Sequence, residues 1–195
     1  MQERELRYFR LGEQYAETAK LLLRTLIENG NSNAGIGSTH EEAYRNMEKN
    51  ALESDLYLFI PAIFNCLQST ELFLKGLLLL KGKDFKRTHN AEVLLKKLED
   101  LYGHSSRVSV LFKSFYSHQI DIIKRYKQHN NLNDSSDLYM SLRYPEMSIK
   151  VDGKNVDLCV DYEELFCNGD IEIFKKLLND LIEINQVVVE EYNNS

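Results

Sequence analysis

Between Leu56 and Leu80 the chain is apolar on almost every side of a helix. Leu56, Phe59, Ile63, Leu67, Phe73 and Leu77 mark one face, and Ile60, Phe64, Leu74 and Leu78 fill much of the rest. A helix apolar nearly all round has to be covered by several neighbours. That requirement selects a helical bundle and makes 56–81 its central member. The densest part, Leu72 to Leu80, is interrupted by Lys75 and Gly76. It is shorter than the roughly 18 apolar residues of a membrane span, so no membrane partner is expected. Pro61 is expected at a first turn or a kink, and Gly82 at the helix end.

Other segments supply the covering helices. Residues 3–29 place Leu6, Phe9, Ala16, Ala19, Leu23 and Leu26 mostly at three- and four-residue steps and stop at Asn29-Gly30. That pattern predicts a first helix with a glycine end. Residues 30–38 read as a flexible loop. Thr39-His40-Glu41-Glu42 has the form of a capping box, so a second helix starts near His40 and runs to about Leu56, separate from the apolar helix or continuous with it. Asn90 caps a short helix over 91–102. One further helix is expected over 105–128, then a polar loop over 129–137. The period changes after that. Ile149 to Val151 and Val156 to Val160 alternate around Asp152-Gly153, which predicts a β-hairpin within 147–160. A helical turn over 161–166 and a last helix over 170–192 complete the chain. With 195 residues, two prolines and 43% hydrophobic content, the expectation is one all-α domain over 1–195.

Charge and cysteines narrow the class further. A net charge of −6 argues against a general nucleic-acid coat and leaves room for a local basic site. Cys66, Cys159 and Cys167 are an odd count without CxxC spacing, which argues against a disulfide framework and a zinc site. No signal peptide is visible at Met1-Gln2-Glu3-Arg4-Glu5, so a cytoplasmic location is expected. His40, His104 and His118 show no metal-ligand spacing. P-loop, GxGxxG and GxSxG motifs are absent. Neither metal nor cofactor is therefore expected.

Two segments resemble the HEPN superfamily, the higher eukaryotes and prokaryotes nucleotide-binding helical domain. One is Glu71-x3-Lys75 on the apolar helix, followed by Thr88-His89-Asn90 at the start of the next. The other is Tyr139-x3-Arg143-Tyr144-Pro145 before the last helix. The resemblance covers roughly 55–192 and implies an up-and-down bundle, as in a divergent, bacterial-type member. Segment 1–54 and the hairpin then look like additions to the family core. It also implies a homodimer. Many HEPN proteins are metal-independent ribonucleases, in which an Arg followed four to six residues on by a His supplies phosphate binding and proton transfer. Arg143 stands in the matching place, but no His follows it. His129 lies upstream and is the candidate replacement.

The candidate site residues each have a plainer reading beside the functional one. Glu71 and Lys75 sit four apart, so an intrahelical ion pair is the first expectation. Their apolar surroundings make them candidates for a pocket as well. Lys86, Arg87 and His89 fall in the most basic stretch, which reads first as a solvated face and His89 as part of a helix cap. In function the same stretch would meet phosphate. Arg143 beside Tyr144 pairs either with a carboxylate such as Glu71 or with a phosphate.

Three functions follow. The favoured one is a non-catalytic HEPN-like module that binds RNA, a nucleotide or a partner protein, such as a nucleotidyltransferase-like component, in a bacterial defence or toxin–antitoxin setting. The second is a ribonuclease using Arg143 with a His supplied by His129 or by the second subunit. The third is a purely structural bundle subunit. Because the Arg–His motif is incomplete, the sequence leans away from an enzyme.

Overall fold

The computed structural model describes residues 2–31, 37–85, 88–117, 121–151, 153–165 and 171–195. Its axis is α3, Asp55–Leu80, on which Phe59, Ala62, Cys66, Leu74, Leu77 and Leu78 have no exposed surface. Pro61 lies within the helix, beyond its first turn, and the helix continues past it. An 18-residue window in the His40–Leu80 stretch reaches a mean hydropathy of 1.3, enough by length and composition to cross a membrane. This corrects the sequence expectation. The window is 72% buried inside the bundle, where the apolar surface is already covered.

The longest neighbour is α1, Gln2–Glu28, which runs along α3. Ala16, Ala19, Leu23 and Leu26 are fully buried, so the first helix belongs to the core. It ends at Gly30, φ +62°, with Asn31 N–H donating to the Leu26 carbonyl at 3.1 Å, a left-handed helix stop. The second helix, α2, His40–Leu52, is separate from α3 and contains no buried residue. The Thr39 hydroxyl accepts from Glu42 N–H at 3.1 Å, as the capping pattern predicts.

The remaining cover comes from α4, Ala91–Tyr102, α5, Arg107–Ser117, and the last helix, α8, Glu172–Asn193. Helix α8 packs on α1, α3 and α5. Within the segment expected to be helical over 105–128, the described residues form α5 and α6, Asp121–His129, while 118–120 lie outside the described residues. The loop expected over 129–137 is shorter than read. Asp134 accepts from the N–H groups of Ser136 and Asp137 and caps α7, Ser135–Ser141.

A two-stranded antiparallel sheet follows, β1 Glu146–Val151 and β2 Lys154–Cys159. Val151 faces Lys154 directly, so the turn has two residues. Gly153 takes φ +78°, as a tight hairpin requires; Asp152 lies outside the described residues. The Val160 N–H donates to the Pro145 carbonyl at 2.8 Å and closes the hairpin base. A short 3-10 turn, Glu163–Leu165, leads towards α8.

Candidate functional site

On α3 the apolar surface is broken by a buried polar stripe. Gln68, Glu71 and Lys75 are each less than 9% exposed. Their spacing of three and four puts them on one face of the helix. Lys75 Nζ donates to Glu71 Oε1 at 2.5 Å, and its ammonium stands 5.5 Å from the Phe85 ring centre. The carboxylate has a second partner: His89 Nδ1 lies 3.1 Å from each Glu71 oxygen.

His89 is held there by the way α4 begins. Asn90 Oδ1 accepts from Val93 N–H at 3.0 Å, while its amide nitrogen donates to Asp134 at 2.8 Å. Ala91 N–H donates to the Ser135 hydroxyl at 2.8 Å, and that hydroxyl donates to Glu92 at 2.5 Å. The caps of α4 and α7 are thus clasped together. This brings His89, one residue before the α4 cap, against Tyr139 on α7. The two rings stack with centres 4.9 Å apart and planes 11° apart.

Tyr139 is the hub of the site. Its hydroxyl donates to Gln68 Oε1, and Phe64 packs on its ring at 5.3 Å. Burial, reinforced by the nearby Glu71 carboxylate, pushes the phenol above its ordinary pKa, with Arg143 pulling the other way. The Arg143 guanidinium lies 5.4 Å from the Tyr139 ring centre and 5.1 Å from that of Tyr144, within cation–π range of both. Among the described residues Arg143 has no carboxylate partner. The expected Glu71–Arg143 pair does not form, because Lys75 and His89 already occupy the carboxylate. Arg143 is exposed, Tyr144 is 42% exposed and the His89 side chain 50% exposed.

Of the residues singled out from sequence, Glu71, Lys75, His89, Arg143 and Tyr144 come together through Tyr139. Lys86 and Arg87 lie outside the described residues. His129 is placed elsewhere: its Nε2 is 2.9 Å from Asp161, beside the Arg125–Glu164 pair, and no contact among the described residues joins it to Arg143. Sequence reasoning did not assign Tyr139 and Gln68 to the site. Tyr139 stands one helical turn before Arg143, and Gln68 one turn before Glu71, so spacing carried the signal.

The structure therefore defines a helical-bundle domain whose central helix carries a buried Glu–Lys pair met by His89, opening at the surface beside an arginine with no carboxylate partner among the described residues. The chain belongs to the HEPN family, whose domain matches residues 41–191. That membership points, at the level of the family, to a nucleotide- or RNA-related function. The match leaves out α1, although α1 is part of the core. No curated protein and no solved structure matches the chain.

Proposed function

We propose that the surface formed by His89, Tyr139, Arg143 and Tyr144 binds a phosphate-bearing ligand of the nucleotide or RNA class. The observation that carries this reading is the exposed Arg143 guanidinium, held between two tyrosine rings with no carboxylate partner among the described residues. In a chain of net charge −6 an arginine without a carboxylate partner among the described residues is not needed for bulk solubility. A guanidinium is a planar fork suited to two phosphate oxygens, and the exposed Tyr144 ring offers a base a stacking surface. A structural subunit, by contrast, is expected to close its charges on one another.

Fluorescence anisotropy tests the reading, with a labelled single-stranded RNA and a labelled nucleotide titrated by wild-type protein and by Arg143→Ala. Saturable, salt-sensitive binding that Arg143→Ala abolishes supports it. Binding unaffected by the substitution, or none at all, rejects it and makes a partner protein the better occupant.

A further inference from the structure

Helix α1 buries one side and leaves the other bare. Ala16, Ala19, Leu23 and Leu26 face the core, while Leu6, Arg10, Glu17 and Leu21, at steps of four, seven and four, share the opposite side. Leu21 is 65% exposed, the most of any large apolar side chain among the described residues. Arg10 and Glu17 carry opposite charge, and Arg24 continues the series seven residues on. Among the described residues neither Arg10 nor Arg24 meets a carboxylate. Glu17 is held through Oε1 by the buried Lys20 at 2.7 Å, and its Oε2 has no partner among the described residues.

At the Leu6 end, α1, α3 and α8 form an apolar groove of about 110 Å³, lined by Leu6, Phe9, Phe73, Val188, Val189 and Tyr192. A cavity of about 150 Å³ takes one benzene ring, so this groove has room for one aliphatic side chain. Its outer wall is open, with Val189 50% and Tyr192 36% exposed. The same helix therefore carries an exposed leucine and, fifteen residues away on the same face, a groove of leucine size. Such a helix is complementary to its own reversed copy.

We propose that α1 pairs antiparallel with α1 of a second copy of this chain, each Leu21 seated in the groove of the other. Charge and shape agree on one register. Setting Leu6 against the second copy's Leu21 also sets Arg10 against the second copy's Glu17, and the two-fold axis passes between Glu13 and Gln14. Every contact then occurs twice, as an isologous interface requires. A parallel pair in register would set Arg10 against Arg10 and Glu17 against Glu17, and like charges oppose it. The two leucine contacts stand about 22 Å apart along the helix and flank the Arg–Glu contacts. This face points away from α3, so each copy keeps its own Glu71–Lys75 cluster. It also lies on a helix outside residues 41–191, beyond the span of the family's domain. A face one helix wide and about 27 Å long is small for a protein interface, so the dimer is reversible at micromolar concentrations.

Sedimentation velocity of the whole chain, from about 1 µM to about 500 µM, tests the proposal. Wild type is expected to pass reversibly from one chain to two across that range. Leu21→Asp changes a mostly exposed side chain, so the circular dichroism spectrum should not change. It places a charge in the apolar groove of the other copy and removes both leucine contacts at once. The dissociation constant should rise about 100-fold or more. Arg10→Glu turns each Arg–Glu contact into a pair of carboxylates and should weaken the dimer by less. Leu11→Asp is the control: Leu11 is 43% exposed but lies on another side of α1, and the dimer should be unaffected. A wild-type chain that stays monomeric at the highest concentration overturns the proposal. So does a dimer that Leu21→Asp leaves intact, or one that Leu11→Asp weakens as much as Leu21→Asp does.

Discussion

His89 sets Nδ1 at 3.1 Å from both carboxylate oxygens of Glu71, a residue eighteen positions earlier on the central helix. Lys75 holds the same carboxylate at 2.5 Å. One buried acid therefore serves two bases, so the three residues are not equivalent. Glu71 is the anchor, and each partner depends on it more than it depends on either.

That asymmetry can be measured by urea unfolding. Glu71→Met leaves the Lys75 ammonium, 7% exposed, without its carboxylate. Stranding a buried charge costs about 3–5 kcal/mol. Lys75→Met leaves Glu71 with His89 and should cost less. The double substitution should cost less than the sum of the two singles, because the second change removes a charge already stranded. Equal costs for the singles, or strict additivity, would contradict a shared anchor.

Arg143 stands at the other extreme. It is exposed, and its contacts are the faces of two tyrosines. Such contacts at the surface contribute about 0.5–1 kcal/mol. Arg143→Ala should therefore shift the unfolding midpoint little and weaken RNA or nucleotide binding strongly. Losing one phosphate contact should also flatten the salt dependence of binding by about one unit of slope. Arg143→Lys should recover only part of the affinity, since an ammonium has the charge without the fork. Anisotropy titrations at several salt concentrations check all three statements.

Most of the bundle was legible because the signals were local. The apolar face of α3, the Thr39 and Asn90 caps and the Gly153 turn each act through neighbours a few residues away. Helix α7 was not, since Ser135–Ser141 lies in a stretch that reads as a polar loop and is fixed by the Asp134 cap. The site was half legible. Glu71, Lys75, His89 and Arg143 are chemically conspicuous in the sequence. That Glu71 takes His89 instead of Arg143 depends on the clasp between Asn90–Ala91 and Asp134–Ser135, a contact across forty-four residues that no local pattern encodes. Tyr139 stands in the motif that resembles the family, but its place between His89 and Arg143 depends on the same clasp, so sequence alone did not assign it to the site.

The buried phenols predict an alkaline limit to stability. The Tyr116 hydroxyl lies 2.9 Å from Thr70 Oγ1, and burial raises its pKa in the fold. Tyr139 is shifted the same way, also chiefly by burial. An unfolded chain ionises these phenols near pH 10 while the folded chain keeps their protons. The unfolded state then binds fewer protons, so stability is full below about pH 10 and falls as pH rises beyond it. The slope is about 1.4 kcal/mol per pH unit for each such tyrosine. Urea midpoints between pH 8 and 11.5 should stay level and then drop. Tyr116→Phe should reduce the drop, and an unchanged drop in that variant would remove Tyr116 from the account.

A tight approach between α1 and α3 lies at Gly76. A Cβ built there would sit 2.4 Å from Phe9 Cε1 and 2.6 Å from Cδ1. Phe9 has little room to yield: it is 8% exposed, and its ring meets Tyr192 of α8 edge-on at 5.7 Å. In an open helix Gly→Ala stabilises by about 1 kcal/mol. Here the clash opposes that gain, because overpacking a tight core costs about 1–3 kcal/mol and moves backbone. Gly76→Ala should therefore be destabilising on balance. Phe9→Ala by itself opens a cavity and is also destabilising. Combined, the added methyl partly fills the space left by the ring, so the pair should be less destabilised than the sum of the singles. Chemical denaturation of the three variants decides it, and a Gly76→Ala protein as stable as wild type would show that α1 shifts away from α3 at little cost.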